Sequence, residues 1–200
     1  MLETRRDQLT ALAAGSGVFL VSAALAWDDN VPPGEEPLFE FINGWPDWIA
    51  WPLYPVMQFG MVVAPFVAGA VAWYLTRKRQ PALALVSTGF GMWLVAKLVK
   101  LVVDRPRPGG LQLDEVINYR IDGGPDGLGF VSGHAAVGFV IAVVASPYLP
   151  KRWAAVLWAL ATGAATLRVY VGAHLPLDSV GGAGLGIAAG AVALLIVRRR

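Results

Sequence analysis

The sequence predicts an all-α membrane protein, a six-transmembrane helix bundle with N- and C-termini cytoplasmic. Three observations lead there. Of 200 residues, 56% are hydrophobic and 15% charged, where soluble domains carry about a quarter charged residues. Six stretches are apolar over roughly the 17–25 residues that a helix needs to cross a bilayer core. The basic residues fall on alternate sides of those stretches, the positive-inside pattern.

The expected spans are Leu9–Trp27, Pro55–Leu75, Gln80–Val103, Val131–Leu149, Trp153–Tyr170 and Val180–Val197. The first is too long for a signal-peptide core, and Asp28-Asp29 follows it at once, a poor cleavage context. Pro65 predicts a kink in the second, which a membrane helix tolerates. With the N-terminus inside, Arg5, Arg6, Arg77, Lys78, Arg79, Lys151, Arg152 and Arg198–Arg200 are cytoplasmic, ten of the 16 basic residues. The other six, Lys97, Lys100, Arg105, Arg107, Arg120 and Arg168, fall at the outer ends of spans or in the outer loop, with 12 of the 14 acidic residues. The expected location is the plasma (inner) membrane, multi-pass, with the site facing outside or the periplasm.

Aromatic residues gather at both boundaries: Trp27, Trp45, Trp48 and Trp51 outside, Trp73, Tyr74 and Trp153 inside. That is the pattern of interfacial anchors. Asp28–Tyr54, rich in Pro, Trp and acid, reads as a short surface helix or an irregular loop. The last span carries Gly182, Gly186 and Gly190 at four-residue spacing, which lets helices approach closely and favours packing inside the bundle over a dimer face. No repeat is evident, and residues 1–200 read as one integral-membrane domain. The chain has no cysteine, which excludes disulfides, thiolate metal sites and a cysteine nucleophile. A net charge of +2 gives no sign of a nucleic-acid partner.

Ionisable groups beside a span are costly and usually functional. Here three span ends on one predicted side carry them: Lys100 to Arg107-Pro108, Ser132-Gly133-His134, and Arg168 with His174 and Asp178. Both histidines of the protein belong to this set. Lys100, Arg107 and Arg168 offer positive charge and forked donors suited to a tetrahedral oxyanion. Ser132 and Gly133 stand where a loop enters a helix, an anion cradle. His174 and Asp178, four apart, share a helix face if a helix begins near His174, with Pro176 tolerated in its first turn. A carboxylate there fixes the tautomer and leaves the other ring nitrogen as nucleophile, which frees His134 to act as general acid. The parts describe phosphoryl transfer. Lys97 reads as a snorkelling side chain in preference to a second phosphate contact. Arg105 with Asp104 reads evenly as a surface ion pair or loop anchor, or as functional. Arg120 reads as solvated or in touch with a headgroup. Ser132 caps the fourth helix in either reading.

Lys100-x6-Arg107-Pro108, Ser132-Gly133-His134 and Arg168-x5-His174-x3-Asp178 together resemble the three-part signature of the type-2 phosphatidic acid phosphatase superfamily, directly from Lys100 to Asp178. Two positions depart from it: Val131 stands where the family usually has proline, and Leu167 where it usually has serine. The resemblance implies a lipid phosphatase in which Lys100, Arg107 and Arg168, with Ser132 and the Gly133 backbone, hold phosphate. His174 forms a phosphohistidine, Asp178 orients it, and His134 protonates the leaving oxygen. It implies no metal and no cofactor. The membrane lipid substrates it offers are polyprenyl diphosphates of the undecaprenyl type, placed first, then phosphatidic acid, phosphatidylglycerophosphate and lipid A. A lipid phosphotransferase and a non-catalytic lipid-binding protein are the readings from other classes.

Overall fold

A computed structural model describes residues 2–113 and 116–197. Arg198–Arg200, counted above as cytoplasmic, lie outside the described residues, as do Asp114 and Glu115. The described chain is helical: α1 (Arg5–Leu25), α2 (Glu35–Asn43), α3 (Ala50–Met57), α4 (Ala64–Thr76), α5 (Arg79–Val103), α6 (Gly133–Ala145), α7 (Lys151–Tyr170) and α8 (Pro176–Val197).

Local chemistry sets the boundaries. Thr4 and Asp7 form a reciprocal capping box, which starts α1 four residues before its apolar stretch. Ser132 caps α6 by accepting from the Ala135 N–H. The helix α8 begins at Pro176, where a missing N–H costs nothing, so it starts four residues earlier than the apolar run. Residues 28–54, left open between helix and loop, contain the nine-residue α2 and the start of α3.

The second expected span is broken. The segments Asp47–Gly60 and Ala64–Thr76 meet at 73°. Pro65 does not kink a continuous helix; it lies in the first turn of α4. The break falls at 61–63, just after the turn Gln58–Gly60, where a side chain on Gly60 would run into the backbone of His134.

Six helices or helix pairs therefore occupy the six expected stretches, yet fewer meet the physical requirement for crossing a membrane. Among the described residues three helices are long and apolar enough, α1, α5 and α8, and a fourth span is reached if the bent pair counts as one. The helix α6 is apolar but short; its 13 residues span about 20 Å at 1.5 Å per residue, against roughly 30 Å of hydrocarbon.

The shortness of α6 goes with its place at the centre. Every residue from Ala135 to Val144 is buried, and a helix apolar on all sides belongs in a core. It packs on α5, α7 and α8, while α8 packs on α1. Small residues make these approaches possible. A Cβ on Gly182 would lie 2.9 Å from the Ala135 Cβ, one on Gly186 would strike the Ala136 carbonyl, and one on Gly15 would lie 2.7 Å from the Gly184 oxygen. The glycines of α8 thus serve contacts within the bundle. Trp27, Trp48, Trp51, Trp73, Tyr74 and Trp153 are exposed, as interfacial anchors should be. Trp45 instead packs on Tyr170, ring centroids 6.2 Å apart.

Gly186→Ala places its methyl against backbone that cannot yield, and we expect a loss of about 1–3 kcal/mol. Gly91→Ala in α5 meets nothing within 4 Å and is expected to gain about 0.5–1 kcal/mol from helix propensity. Thermal unfolding of the two variants in detergent checks the contrast; equal effects would refute the close packing of α8 on α6.

Candidate functional site

The three sequence clusters meet at one end of the bundle, and the backbone joins them. Lys100 lies in the last turn of α5. Beyond it the chain runs extended and pairs with 127–129: the Arg107 N–H donates to the Gly127 carbonyl (3.0 Å) and the Gly129 N–H to the Arg105 carbonyl (2.7 Å). This short antiparallel bridge carries the chain directly into Ser132-Gly133-His134. The Ser132 N–H donates to the Asp178 carbonyl (2.9 Å), tying the start of α6 to the first turn of α8. The N–H groups of Ala173 and His174 donate to the Arg168 carbonyl (3.1 and 3.2 Å), closing the turn between α7 and α8.

Lys100, Arg107, Gly133, His134, Arg168 and His174 line a single cavity of about 420 Å³. Its cationic charge exceeds what the protein supplies to balance it. The Lys100 Nζ donates to the carbonyls of Leu128 (2.6 Å) and Gly129 (2.7 Å). Arg168 donates to the Asp122 carbonyl (3.1 Å) and touches the Met57 sulfur (3.6 Å). The buried Nε atoms of Arg107 and Arg168 have no hydrogen-bond partner among the described residues. The Arg105 Nε, away from the cavity, is unpartnered as well, so it is the three cations on the wall that make the cavity electrostatically suited to an anion.

His174 and Asp178 sit as their spacing requires. The His174 Nδ1 is 3.4 Å from the Asp178 Oδ2, which also accepts from the Leu175 N–H (2.9 Å). His174 is buried, and that burial, with the positive charges of Lys100, Arg168 and Arg107, holds its imidazole well below the ordinary histidine range. The ring is therefore neutral at physiological pH, with a lone pair available on one nitrogen.

Ser132 and Asp178 have no exposed surface. Neither lines the cavity, and the Ser132 hydroxyl is directed at the helix cap. Lys97 borders the cavity with its ammonium 3.8 Å from the centre of the Trp93 ring, a cation–π contact. The surface pair of Arg105 with Asp104 and the solvated reading of Arg120 are overturned, while a loop-anchoring or functional Arg105 stays open. Arg105 is fully buried, and its partners are Glu35 (2.6 Å) and Asp178 (3.0 Å), not Asp104. Arg120 neither points into solvent nor stands free for a headgroup. It donates to the carbonyls of Asn43, Trp45 and Tyr170 (2.7–2.8 Å), pairs with Asp47 (2.8 Å) and covers the Tyr170 ring. It fastens the 117–123 loop to the segment between α2 and α3.

Three participants escaped sequence reasoning: Glu35, Asp122 and Gly60. Asp122 accepts from Gln58 (3.2 Å) and presents its carbonyl to Arg168. Gly60 rests on the His134 backbone. Glu35 and Asp122 stand in stretches where acid and glycine are common, and nothing in their spacing sets them apart.

Two solved structures share this architecture. The phosphatidylglycerolphosphate phosphatase of Bacillus subtilis, described as a transmembrane PAP2-type enzyme, superposes with a TM-score of 0.73 at 20% identity, over 93% of this chain and 96% of its own. LpxE of Aquifex aeolicus superposes with a TM-score of 0.66 at 23% identity, over 84% of this chain and 99% of its own. No curated protein matches the sequence. Residues 80–200 match the PAP2 superfamily, a stretch that holds all three clusters and more than half of the chain. On that match, with the fold it accompanies, the chain belongs to the PAP2 superfamily and is a membrane phosphatase.

Proposed function

We propose that this phosphatase is metal-independent, works through a phosphohistidine, and acts on a polyprenyl diphosphate at the outer boundary of the plasma membrane. The observation that carries the reading is a single cavity lined by three cations, Lys100, Arg107 and Arg168, together with two imidazoles. A phosphate supplies acceptors for both arginines, and its developing equatorial charge falls among three cations. This is the stabilisation that a divalent ion gives in other phosphoryl transfers.

The steps balance as follows. The free ring nitrogen of His174 attacks phosphorus and a P–N bond forms. The bond from phosphorus to the leaving oxygen breaks with its electron pair, and His134, in the imidazolium form that the bound substrate's negative charge favours, gives that oxygen a proton and becomes neutral. Asp178 holds the Nδ1 side of His174 and offsets the positive charge that grows on the ring. A water then attacks the phosphohistidine as its proton passes to His134, and the P–N bond breaks to restore His174. Ser132 acts through the helix turn that it caps, and the Gly133 backbone faces the phosphate.

A second cavity supports a lipid. An apolar groove of about 670 Å³ runs along α4 from Ala64 to Thr76 and is closed by α6 and α7. Met61 lines both this groove and the cationic cavity. The 13 residues of α4 extend about 20 Å, more than the roughly 15 Å of one leaflet's hydrocarbon, a length that favours a long single chain such as a polyprenyl tail. The basic residues support an outward-facing site: Arg5 and Arg6, Arg77–Arg79, and Lys151 with Arg152 stand at helix ends away from those that bear it. We read six crossings, both termini cytoplasmic and residues 1–200 as one domain.

Phosphate release by the purified protein from undecaprenyl diphosphate, phosphatidic acid and phosphatidylglycerophosphate in detergent tests the reading. Turnover is expected to persist undiminished in EDTA and to be most efficient on the polyprenyl diphosphate. Loss of activity in EDTA would refute metal independence, and a preference for either phospholipid would reassign the substrate. His174→Ala is expected to lower kcat by about 10³-fold or more and to abolish trapping of labelled phosphate on the protein, with thermal stability retained; labelled protein in that variant would remove His174 as nucleophile. Lys100→Ala is expected to cost about 100-fold in kcat/KM, and Lys97→Ala, whose ammonium rests on Trp93, less than about 5-fold; the reverse order would exchange their roles.

A further inference from the structure

The Asp178 carboxylate is held by more than the histidine it faces. Its Oδ2 serves His174 and the Leu175 N–H, while its Oδ1 accepts from the Arg105 guanidinium at 3.0 Å. Arg105 has no exposed surface. Its two terminal nitrogens are bound by Asp178, both oxygens of Glu35 (2.6 and 3.2 Å) and the Asn30 carbonyl (2.9 Å). Glu35, first residue of α2 and itself buried, also accepts from the Leu177 N–H at 2.9 Å. A continuous line therefore runs from His174 through Asp178 and Arg105 to Glu35. It begins at the cavity and ends in the segment that joins α1 to α3.

The charges along this line bear on the chemistry. Arg105 fixes the rotation of Asp178, but alone it would also neutralise it, since a cation in contact with a buried carboxylate cancels most of its field. Glu35 shares that cation through a two-pronged contact. The three groups together keep a net charge of −1 behind His174, opposite Lys100, Arg107 and Arg168. That surplus stabilises the ring when attack on phosphorus makes it positive.

We propose that Glu35 and Arg105 are positioning residues for turnover: Arg105 sets the geometry of Asp178, and Glu35 preserves its negative charge. This rests on the roles given above to His174 and Asp178. It makes residues 28–54 part of the catalytic apparatus and not only a surface cover.

Removing Arg105 outright would strand two buried carboxylates, so conservative changes test the idea. Glu35→Gln keeps the shape and an acceptor for Leu177. Arg105→Lys keeps the charge but loses the fork that reaches both acids. Each is made alone and with Asp178→Asn, and kcat and KM are measured on whichever lipid of the panel above turns over fastest. Asp178→Asn alone is expected to lower kcat by about 100-fold or more. Glu35→Gln and Arg105→Lys are each expected to lower kcat by about 10-fold with KM changed less than about 3-fold, because neither lines the phosphate cavity. In the Asp178→Asn background the same two changes are expected to cost less than about 2-fold, because their target is gone. Equal losses in both backgrounds, or a rise in KM at constant kcat, would make the pair structural and overturn the proposal. An unchanged kcat in Asp178→Asn itself would instead remove the role given to Asp178, a separate failure. If one single variant does not fold, the cycle with the other decides by the same criterion.

Discussion

A carboxylate without any exposed surface sits at the junction of the molecule. Asp178 meets His174 and the Leu175 N–H through one oxygen and Arg105 through the other, and its carbonyl receives the Ser132 N–H. All three sequence clusters thereby end on one residue in the first turn of α8. A buried anion of this kind is tolerated only with its charge and lone pairs satisfied. The same contacts that satisfy it therefore fix where α5, α6 and α8 stand relative to one another. Gly129 covers it closely: a Cβ there would lie 2.8 Å from the Oδ2.

The close packing of α8 makes that junction reachable. Gly182 and Gly186 allow α8 to lie against the backbone of α6 near Ser132 and Ala136, and Gly15 with Gly184 does the same between α1 and α8. Helices in lipid gain little from burying apolar surface, so close van der Waals approach carries much of their association. Larger residues would separate α6 from α8 and stretch the Ser132–Asp178 contact. Packing in the apolar part of the bundle and geometry at its polar end are in this sense one constraint.

Much of this was legible in the sequence, and the rest was not for identifiable reasons. The helical class and all six helical stretches were readable from apolar length, since that property belongs to each segment alone. The convergence of Lys100, Arg107, His134, Arg168 and His174 was readable because costly charges stood beside spans. Arg105 and Arg120 were visible as charges, but their partners lie 70 and 73 residues away, and no local pattern encodes such a pairing. Glu35 was one acid among several. The break at 61–63 lies beside a tertiary contact, Gly60 against the His134 backbone, which no local pattern encodes. The shortfall in fully apolar spans has a related origin. A helix wrapped by its neighbours, as α6 is, need not match the bilayer thickness on its own.

Burial then acts twice on the same set of residues, with opposite results. For His174 it removes water that would favour the charged ring, and the surrounding cations add to that effect, so the nitrogen keeps its lone pair. For Arg107 and Arg168 it removes water that would satisfy their Nε donors, while the guanidinium stays charged. A neutral imidazole and unsatisfied cations thus arise together, from exclusion of water at one end of a bundle. An anion entering that space satisfies the arginines and at the same time brings its own negative charge toward the imidazole. Like charges crowd one another around that space, and its walls therefore favour an anion.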